Sequence, residues 1–98
     1  MSRWGFLALI LVRERTYRFS ELRWRIGGVS EKMLAQTLRT LAEDGFVVRH
    51  DFAELPPHVE YSLTPMGRGV AKHIAVLGEW IRTHFPQVFA EREKHRPT

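Results

Sequence analysis

Cysteine is absent from the 98 residues of the chain. Its absence excludes disulfide bonds, thiol redox chemistry, cysteine-based zinc sites and cysteine nucleophiles. The sequence also has no Gly-rich phosphate loop and no GxSxG nucleophile elbow, and no pair among its five histidines has the spacing of an HExxH zinc site. We therefore expect a protein that is not an enzyme and that needs no cofactor and no metal.

Long hydrophobic runs are lacking too. The only continuous apolar stretch is WGFLALILV, residues 4–12, whereas a helix that crosses a bilayer needs about 20 such residues. The cleavage site of a signal peptide does not follow either, because Arg13, Glu14 and Arg15 come directly after the run. The run predicts a buried helix that opens the domain. We expect no membrane partner and a cytoplasmic location.

Positive charge is concentrated at one end of the chain. The first 30 residues hold six arginines and two glutamates, whereas nine basic and nine acidic side chains cancel in the remainder, so the net charge is +4. A basic region suits a polyanion such as nucleic acid, because bound arginine and lysine release counterions from phosphates. A net charge of this size also serves solubility alone. Charge therefore suggests a partner without naming it.

Two helices are predicted in the first third of the sequence. The first covers residues 3–15, and its buried positions follow helical spacing at Trp4, Leu7, Ile10 and Leu11. Residues 17–19 form a short extended piece, after which Ser20 is the expected N-cap of a brief second helix. The buried positions of that helix are Leu22 and Ile26. Gly27 and Gly28 end it, because glycine tolerates the left-handed backbone of a tight exit.

A third helix follows at once, from its N-cap Ser30 to about Glu43, and Asp44-Gly45 ends it. It has two distinct sides. The apolar stripe consists of Met33, Leu34, Thr37, Leu38 and Leu41. The opposite side carries Glu31, Lys32, Ala35, Gln36, Arg39 and Thr40.

The hydrophobic pattern then changes from the 3.6-residue period of a helix to the two-residue period of a strand. Residues 46–52 and 59–63 predict a β-hairpin whose exposed tip is stiffened by Pro56 and Pro57. Thr64 and Pro65 mark the start of a fourth helix that is expected to reach about residue 85, where Pro86 interrupts it. Residues 91–98 are expected to be a frayed tail.

This order of elements indicates a mainly α fold with a small β-hairpin, a winged helix-turn-helix that occupies residues 1–98 as one domain. Two short helices joined by a glycine-containing turn are the ingredients of a helix-turn-helix, whose second helix enters the major groove of DNA. The outward side of the third helix carries donors and acceptors of the types that contact bases and phosphates. On that helix the candidate DNA-binding residues are Ser30, Glu31, Lys32, Gln36, Arg39 and Thr40. On the hairpin they are Arg49, His50 and His58.

The sequence also resembles the HxlR-type transcriptional regulators of the MarR-like group. The resemblance lies in RWGFLALILVRE at residues 3–14, RFSELRWRIGGVSEKMLAQTLRTLAEDGFVVR at residues 18–49 and PPHVEYSLTPMGR at residues 56–68. It implies a bacterial regulator that binds near-palindromic double-stranded DNA as a homodimer, with the helix from Ser30 in the major groove and the Pro56-Pro57 hairpin as the wing. It also implies that Arg18 anchors the DNA backbone.

Dimerisation through the first and last helices is a further implication of the resemblance. The residues that it places at the dimer interface are Trp4, Leu7, Val70, Ile74, Leu77, Trp80 and Ile81. Part of this apolar set must instead belong to the core of one chain, because the last helix has to dock on its own domain.

Two alternatives stay open at this point. Winged helices also serve as protein–protein interaction modules without DNA binding, but such a module is expected to show exposed apolar anchors on the outward side of the third helix. A small apolar effector is a possible partner, because the aromatic residues of the first and last helices could line a pocket in a dimer. Those residues, Trp4, Phe6, Trp80 and Phe85, equally suit a plain aromatic core.

Overall fold

The computed structural model describes residues 2–96. Its elements follow the predicted order of helix, short strand, two helices, hairpin and long helix. In chain order they are α1 (Arg3–Glu14), β1 (Tyr17–Arg18), α2 (Phe19–Ile26), α3 (Glu31–Glu43), β2 (Val47–Phe52), β3 (His58–Leu63) and α4 (Pro65–Lys94). The mainly α winged-helix class that the sequence predicts is therefore confirmed.

The three strands form one antiparallel sheet in the order β1-β3-β2. The predicted hairpin is present, with β2 and β3 in register from Val47 opposite Leu63 to Phe52 opposite His58. The short extended piece before α2 becomes its third strand, because Arg18 pairs with Glu60. This pairing fixes the start of α2 beside the hairpin, which brings the two parts of the candidate DNA surface together.

The core is made by all the helices and the sheet. Its fully buried large side chains are Tyr17, Leu9, Leu22, Leu34 and Leu38. On α3 the predicted inward positions Leu34, Thr37, Leu38 and Leu41 are buried. Met33 is an exception, since it is 44% exposed. It lies at the edge of the apolar stripe, where neither α1 nor the sheet covers it completely.

The predicted orientation of α1 is wrong by one residue, which is a rotation of about 100°. The buried residues of α1 are Gly5, Ala8, Leu9 and Val12, whereas Leu7 is 38% exposed and Trp4, Ile10 and Leu11 are half-buried. The helix is apolar on almost every side, so hydrophobic periodicity could not select one face. The buried side includes the two small residues Gly5 and Ala8.

Side-chain caps define most helix starts, and one of them differs from the prediction. Ser30 Oγ accepts the backbone N–H of Met33 at 3.0 Å, and Thr64 Oγ1 accepts that of Gly67 at 2.9 Å, as expected. Ser20 is not an N-cap. The helix α2 begins two residues earlier than predicted, with Arg18 as its cap residue, and the carboxylate of Glu21 accepts the backbone N–H of Arg18 at 3.0 Å.

The helix α4 is longer than predicted. It passes through Pro86 without a break and ends at Lys94 rather than near Phe85. Proline removes one helical hydrogen bond, to the carbonyl of Arg82, but this segment is exposed, so water can satisfy that carbonyl. Of the tail predicted to be frayed, residues 91–94 are helical and residues 97–98 lie outside the described part of the chain.

The extra length of α4 makes the molecule elongated. Its extents are 61 × 27 × 20 Å, and its radius of gyration is 16.9 Å, compared with about 13 Å for a compact domain of 100 residues. The first half of α4 packs on α1, whereas the second half projects from the body with mostly exposed side chains. None of the helices in residues 2–96 has the length and hydrophobicity to cross a membrane.

Candidate nucleic-acid interface

The outward side of α3 is a polar surface, as the sequence predicts. Its exposed residues include Glu31, Lys32, Gln36, Arg39 and Thr40, and they lie opposite the buried Leu34, Leu38 and Leu41. Ala35, on the side of α3 nearest the hairpin, is half-buried. Ser30 caps α3, and Thr64 caps α4. The buried stripe of α3 packs on the domain, and its outward face stays exposed.

Within the described residues, three cations on or beside this face have no anionic partner. In residues 2–96 the ion pairs involve other arginines and lysines, and none includes Arg18, Lys32 or Arg39. An unpaired surface cation keeps its full charge for a ligand. The electrostatic preference of this face is therefore for an anion.

Residues from four separate elements meet in one hollow between α3 and the hairpin. Arg18 and Ser20 come from the start of α2, Arg49 from β2 and His58 from β3, and Ala35 of α3 forms the opposite side. The hollow has a volume of about 370 Å³. Tertiary structure thus brings together Arg18, Arg49 and His58, which the sequence singled out separately.

Tyr61 at the base of this hollow links the two halves of the surface. Burial raises the pKa of its phenol, while the charges of Arg49 and Arg39 act in the opposite direction. Both guanidinium groups are therefore close enough to the same phenol to affect its pKa, although Arg39 comes from α3 and Arg49 from β2. Arg39 of α3 and Arg49 of the hairpin therefore act on one shared group, together with Asp51, whose negative charge raises the pKa of the phenol.

The two hairpin candidates are held by neighbours on their own strands. Arg49 lies 3.0 Å from the carboxylate of Asp51, and since both side chains are more than half exposed, such a pair contributes little and can exchange for a phosphate. His58 Nε2 lies 2.8 Å from Glu60 Oε2, and its ring stacks on Phe52 with centroids 4.8 Å apart. Its side chain is only 15% exposed, so His58 is the more restrained of the two.

The remaining candidates lie on the α3 face or beside it. The hydroxyl of Ser30 caps α3, and Glu31 lies 4.0 Å from Arg23 of α2. Gln36 and Thr40 border a second hollow on the side of α3 that faces the start of α1. His50, on β2, hydrogen-bonds to Ser62 at 2.9 Å. The face therefore has a central row of Lys32, Gln36 and Arg39.

The residues expected at a dimer interface divide into two groups. Trp4, Val70 and Ile74 pack partly against the core, and Ile81 is half-buried. Leu7, Leu77 and Trp80 are 38%, 58% and 52% exposed. The stripe continues on the projecting half of α4 to Val88, which sequence reasoning missed because Pro86 was read as the end of the helix.

The four aromatic residues considered for an effector pocket are not gathered in one hollow of the single chain. A hollow beside Trp80 has a volume of about 480 Å³ and is otherwise lined by Lys72, His73, Val76 and Leu77. Trp4, Phe6 and Phe85 are not among its lining residues. Trp80 stacks instead on His84, with centroids 4.3 Å apart, and Phe85 packs edge-on against Phe89.

Sequence reasoning assigned no role to Trp24. It lies on α2 and is 82% exposed, which makes it the most exposed aromatic side chain in residues 2–96. It borders a hollow with Arg23, Gly27, Gly28 and Glu31. The signal available in the sequence was that a tryptophan stands between two arginines in a helix whose inward positions are already taken by Leu22 and Ile26.

Comparison with known proteins gives one consistent result. A family model described as HxlR-like helix-turn-helix matches residues 1–89. YtfH of Escherichia coli (strain K12), described as an uncharacterized helix-turn-helix-type transcriptional regulator, is 55% identical over 93 residues, which are 95% of this chain and 74% of that protein.

Solved structures agree with the sequence comparison. YtfH from Salmonella typhimurium has a TM-score of 0.87 and 55% identity, covering 95% of this chain and 83% of that one. A MarR-family protein from Porphyromonas gingivalis W83 has a TM-score of 0.77 and 37% identity, covering 81% and 78%. These relatives are described as transcriptional regulators rather than enzymes, in line with the expectation from the sequence. The chain belongs to the HxlR-like helix-turn-helix family of transcriptional regulators.

Proposed function

We propose that the protein is a DNA-binding transcriptional regulator that binds a near-palindromic operator as a homodimer. The helix α3 enters the major groove, and the hairpin lies on the flanking backbone or in the minor groove. The observation that carries the proposal is the set of three unpaired cations, Arg18, Lys32 and Arg39, on one exposed surface with Gln36. A regulator of this kind acts in the cytoplasm, where its DNA is.

The central row of α3 supplies the contacts with bases. Gln36 has the amide geometry that pairs with adenine, and Lys32 or Arg39 can donate to guanine or to phosphate. Glu31 can accept from the amino group of cytosine. Ser30 and Thr40, at the two edges of the face, supply hydroxyl groups to the backbone.

The hairpin and the start of α2 supply the contacts with the backbone. Arg18 and Arg49 border the same hollow, so one strand of a duplex lying against α3 can meet both guanidinium groups. Arg49 exchanges its exposed pair with Asp51 for a phosphate. His58 is already held by Glu60 and contributes at the edge of this contact.

Homodimerisation supplies the second recognition helix, which binds the second half-site of the operator. One α3 occupies one major groove, and recognition of a palindrome needs a second copy about 34 Å away along the duplex. From the end of its first half onward, α4 has an apolar stripe of Leu77, Ile81 and Val88 that its own chain does not completely bury. Together with Trp4, Leu7, Val70, Ile74 and Trp80, this stripe is the proposed dimer interface.

The proposal is tested by fluorescence anisotropy with a duplex from upstream of the protein's own gene and with a scrambled duplex, over a series of salt concentrations. We expect tighter binding to the upstream duplex and a steep loss of affinity with salt, since each phosphate contact releases counterions.

The matched variants are Lys32→Ala and Arg39→Ala, with Arg82→Ala as the control. Arg82 is an exposed cation on α4, paired with Glu79, away from the proposed surface. Each α3 variant should lose about 1–3 kcal/mol of binding free energy if it contacts a base, whereas the control should bind normally. Normal affinity in both α3 variants would remove the recognition-helix assignment. If the unaltered protein bound neither duplex at low salt, the protein–protein interaction module would replace the present proposal.

A further inference from the structure

Trp24 is exposed in a way that the fold does not require. It lies on α2, on the side opposite the buried Leu22, and is 82% exposed. An indole is among the largest apolar groups a protein has, and it is usually buried or placed at a contact. No packing within residues 2–96 covers it. The exposed side of α2 thus presents a large, rigid, partly apolar surface with one N–H donor.

The surface beside Trp24 is open to close approach. A hollow of about 620 Å³ runs along the indole and the turn between α2 and α3, past Gly27 and Gly28. Both glycines have positive φ angles, of 67° and 68°, and a Cβ built on either would meet nothing within 4 Å. The bare backbone of the turn therefore lets a bulky partner reach the floor of the hollow.

The hollow has no net negative charge, and three arginines lie in it or close to it in the sequence. Arg23 lines the hollow, Arg25 follows Trp24 and lies 3.9 Å from Glu14, and Arg18 comes two residues before the lining residue Ser20. Arg23 lies along the turn, with Nε donating to the carbonyl of Val29 at 3.4 Å. Its Nη1 is 4.0 Å from Glu31, so it offsets the one acidic group that borders the hollow.

The hollow is continuous with the proposed DNA-reading face. Glu31 is the first residue of α3, and it lies at the border between the hollow and the row of Lys32, Gln36 and Arg39. In a helix-turn-helix the first helix crosses the DNA backbone when the second is in the groove. The strand that bounds the major groove would then pass beside α2, the helix that carries Trp24.

We propose that Trp24 is a DNA-contacting residue, whose indole packs against the sugar–phosphate backbone of the duplex while one strand occupies the hollow beside the α2–α3 turn. The inference rests on the proposed DNA binding of the protein. Because sugar and phosphate are the same at every base pair, Trp24 adds affinity without adding sequence preference.

The first test compares the full chain with its Trp24→Ala variant, with Val76→Ala as the control. Val76 is also an exposed apolar residue, 64% exposed on α4, and lies away from the hollow. We expect Trp24→Ala to weaken binding to the upstream and scrambled duplexes equally, by roughly fivefold or more, while Val76→Ala changes neither. Unchanged affinity of Trp24→Ala would overturn the inference and indicate a protein partner for this surface. A loss confined to the upstream duplex would also overturn it, since a backbone contact is independent of sequence.

The second test measures the solvent accessibility of Trp24 directly, by quenching of its fluorescence. In the double variant Trp4→Phe, Trp80→Phe the only indole is Trp24, and its quenching by acrylamide should fall when duplex DNA saturates the protein. A variant that keeps only Trp80, which is 52% exposed on α4, should show unchanged quenching. Equal quenching of Trp24 with and without DNA would overturn the inference, provided that anisotropy shows the duplex bound. Failure of the unaltered protein to bind any duplex would instead be a failure of the proposed function.

Discussion

At the scale of single residues, the closest approach in the fold is made by Gly67 in the first turn of α4. A Cβ at this position would lie 1.9 Å from the carbonyl oxygen of Phe46 and 3.1 Å from a methyl group of Leu63. The neighbouring Thr64 donates its hydroxyl hydrogen to the carbonyl of Gly45 at 2.6 Å. The start of α4 is therefore locked against the start of the hairpin by backbone contacts that leave no room for a side chain.

Gly67→Ala should consequently destabilise the protein, because the helix or the hairpin has to move. We expect a loss of about 1–3 kcal/mol in the free energy of unfolding, the usual range for overpacking, measured by chemical denaturation. The matched control is Gly69→Ala two residues later, where a Cβ meets nothing within 4 Å. That variant should be stabilised by roughly 0.5–1 kcal/mol through helix propensity. Equal stability of the two variants would contradict the close approach at Gly67.

At the scale of elements, α2 is a helix of only eight residues, and its start depends on Glu21. The backbone N–H of Arg18 donates to the Glu21 carboxylate, and the guanidinium of Arg15 lies 3.1 Å from it. These two contacts, the backbone hydrogen bond first, hold the pKa of Glu21 below its ordinary value of 4.5. The carboxylate form thus stabilises the helix that positions Arg18 and Trp24.

The sign of the pH dependence follows from that lowered pKa. A carboxyl group whose pKa is lower in the folded state contributes stability above its unfolded pKa and loses it as the pH falls through the folded pKa. The stability of the unaltered protein should therefore fall below about pH 4.5 more steeply than that of Glu21→Gln, as measured by thermal melting at a series of pH values. Parallel pH profiles for the two proteins would show that Glu21 does not support α2 in this way.

At the scale of the whole molecule, shape and exposed surface point to self-association. The molecule is 61 Å long because the second half of α4 leaves the body. Leu77, Ile81 and Val88 lie along one side of that helix, from the end of its first half into its second. Light scattering should give a mass of twice the 11.5 kDa of one chain. A mass of 11.5 kDa at working concentrations would contradict the dimer.

One substitution tests the proposed dimer interface without disturbing the fold of the single chain. Leu77→Glu places a charge in the apolar stripe, so it should shift the mass to that of one chain while far-UV circular dichroism stays helical, because Leu77 is already 58% exposed in the single chain. The control is Ala90→Glu, an exposed position on the other side of α4, which should remain dimeric. The monomeric variant should also bind the upstream duplex more weakly, because it engages one half-site at a time.

What the sequence determined by itself is the order of the elements and the orientation of α3. That helix has a strong contrast between its apolar and polar sides, so the inward Leu34, Leu38 and Leu41 and the outward Lys32 and Arg39 could be assigned from the 3.6-residue period alone. The hairpin was equally clear, since its strands alternate around a proline-containing tip. The local sequence pattern is sufficient to predict the orientation of an element when its buried and exposed residues are clearly separated within that element.

Only the tertiary structure decided the features that depend on contacts between distant parts of the chain. The apolar α1 could pack on several sides, and its contacts with α3, α4 and β3 decided which side is buried. Arg18, Arg49 and Ala35 came together because β1 pairs with β3. The helix α4 continues through Pro86 because the fold leaves that segment exposed to water, which a local sequence pattern does not reveal.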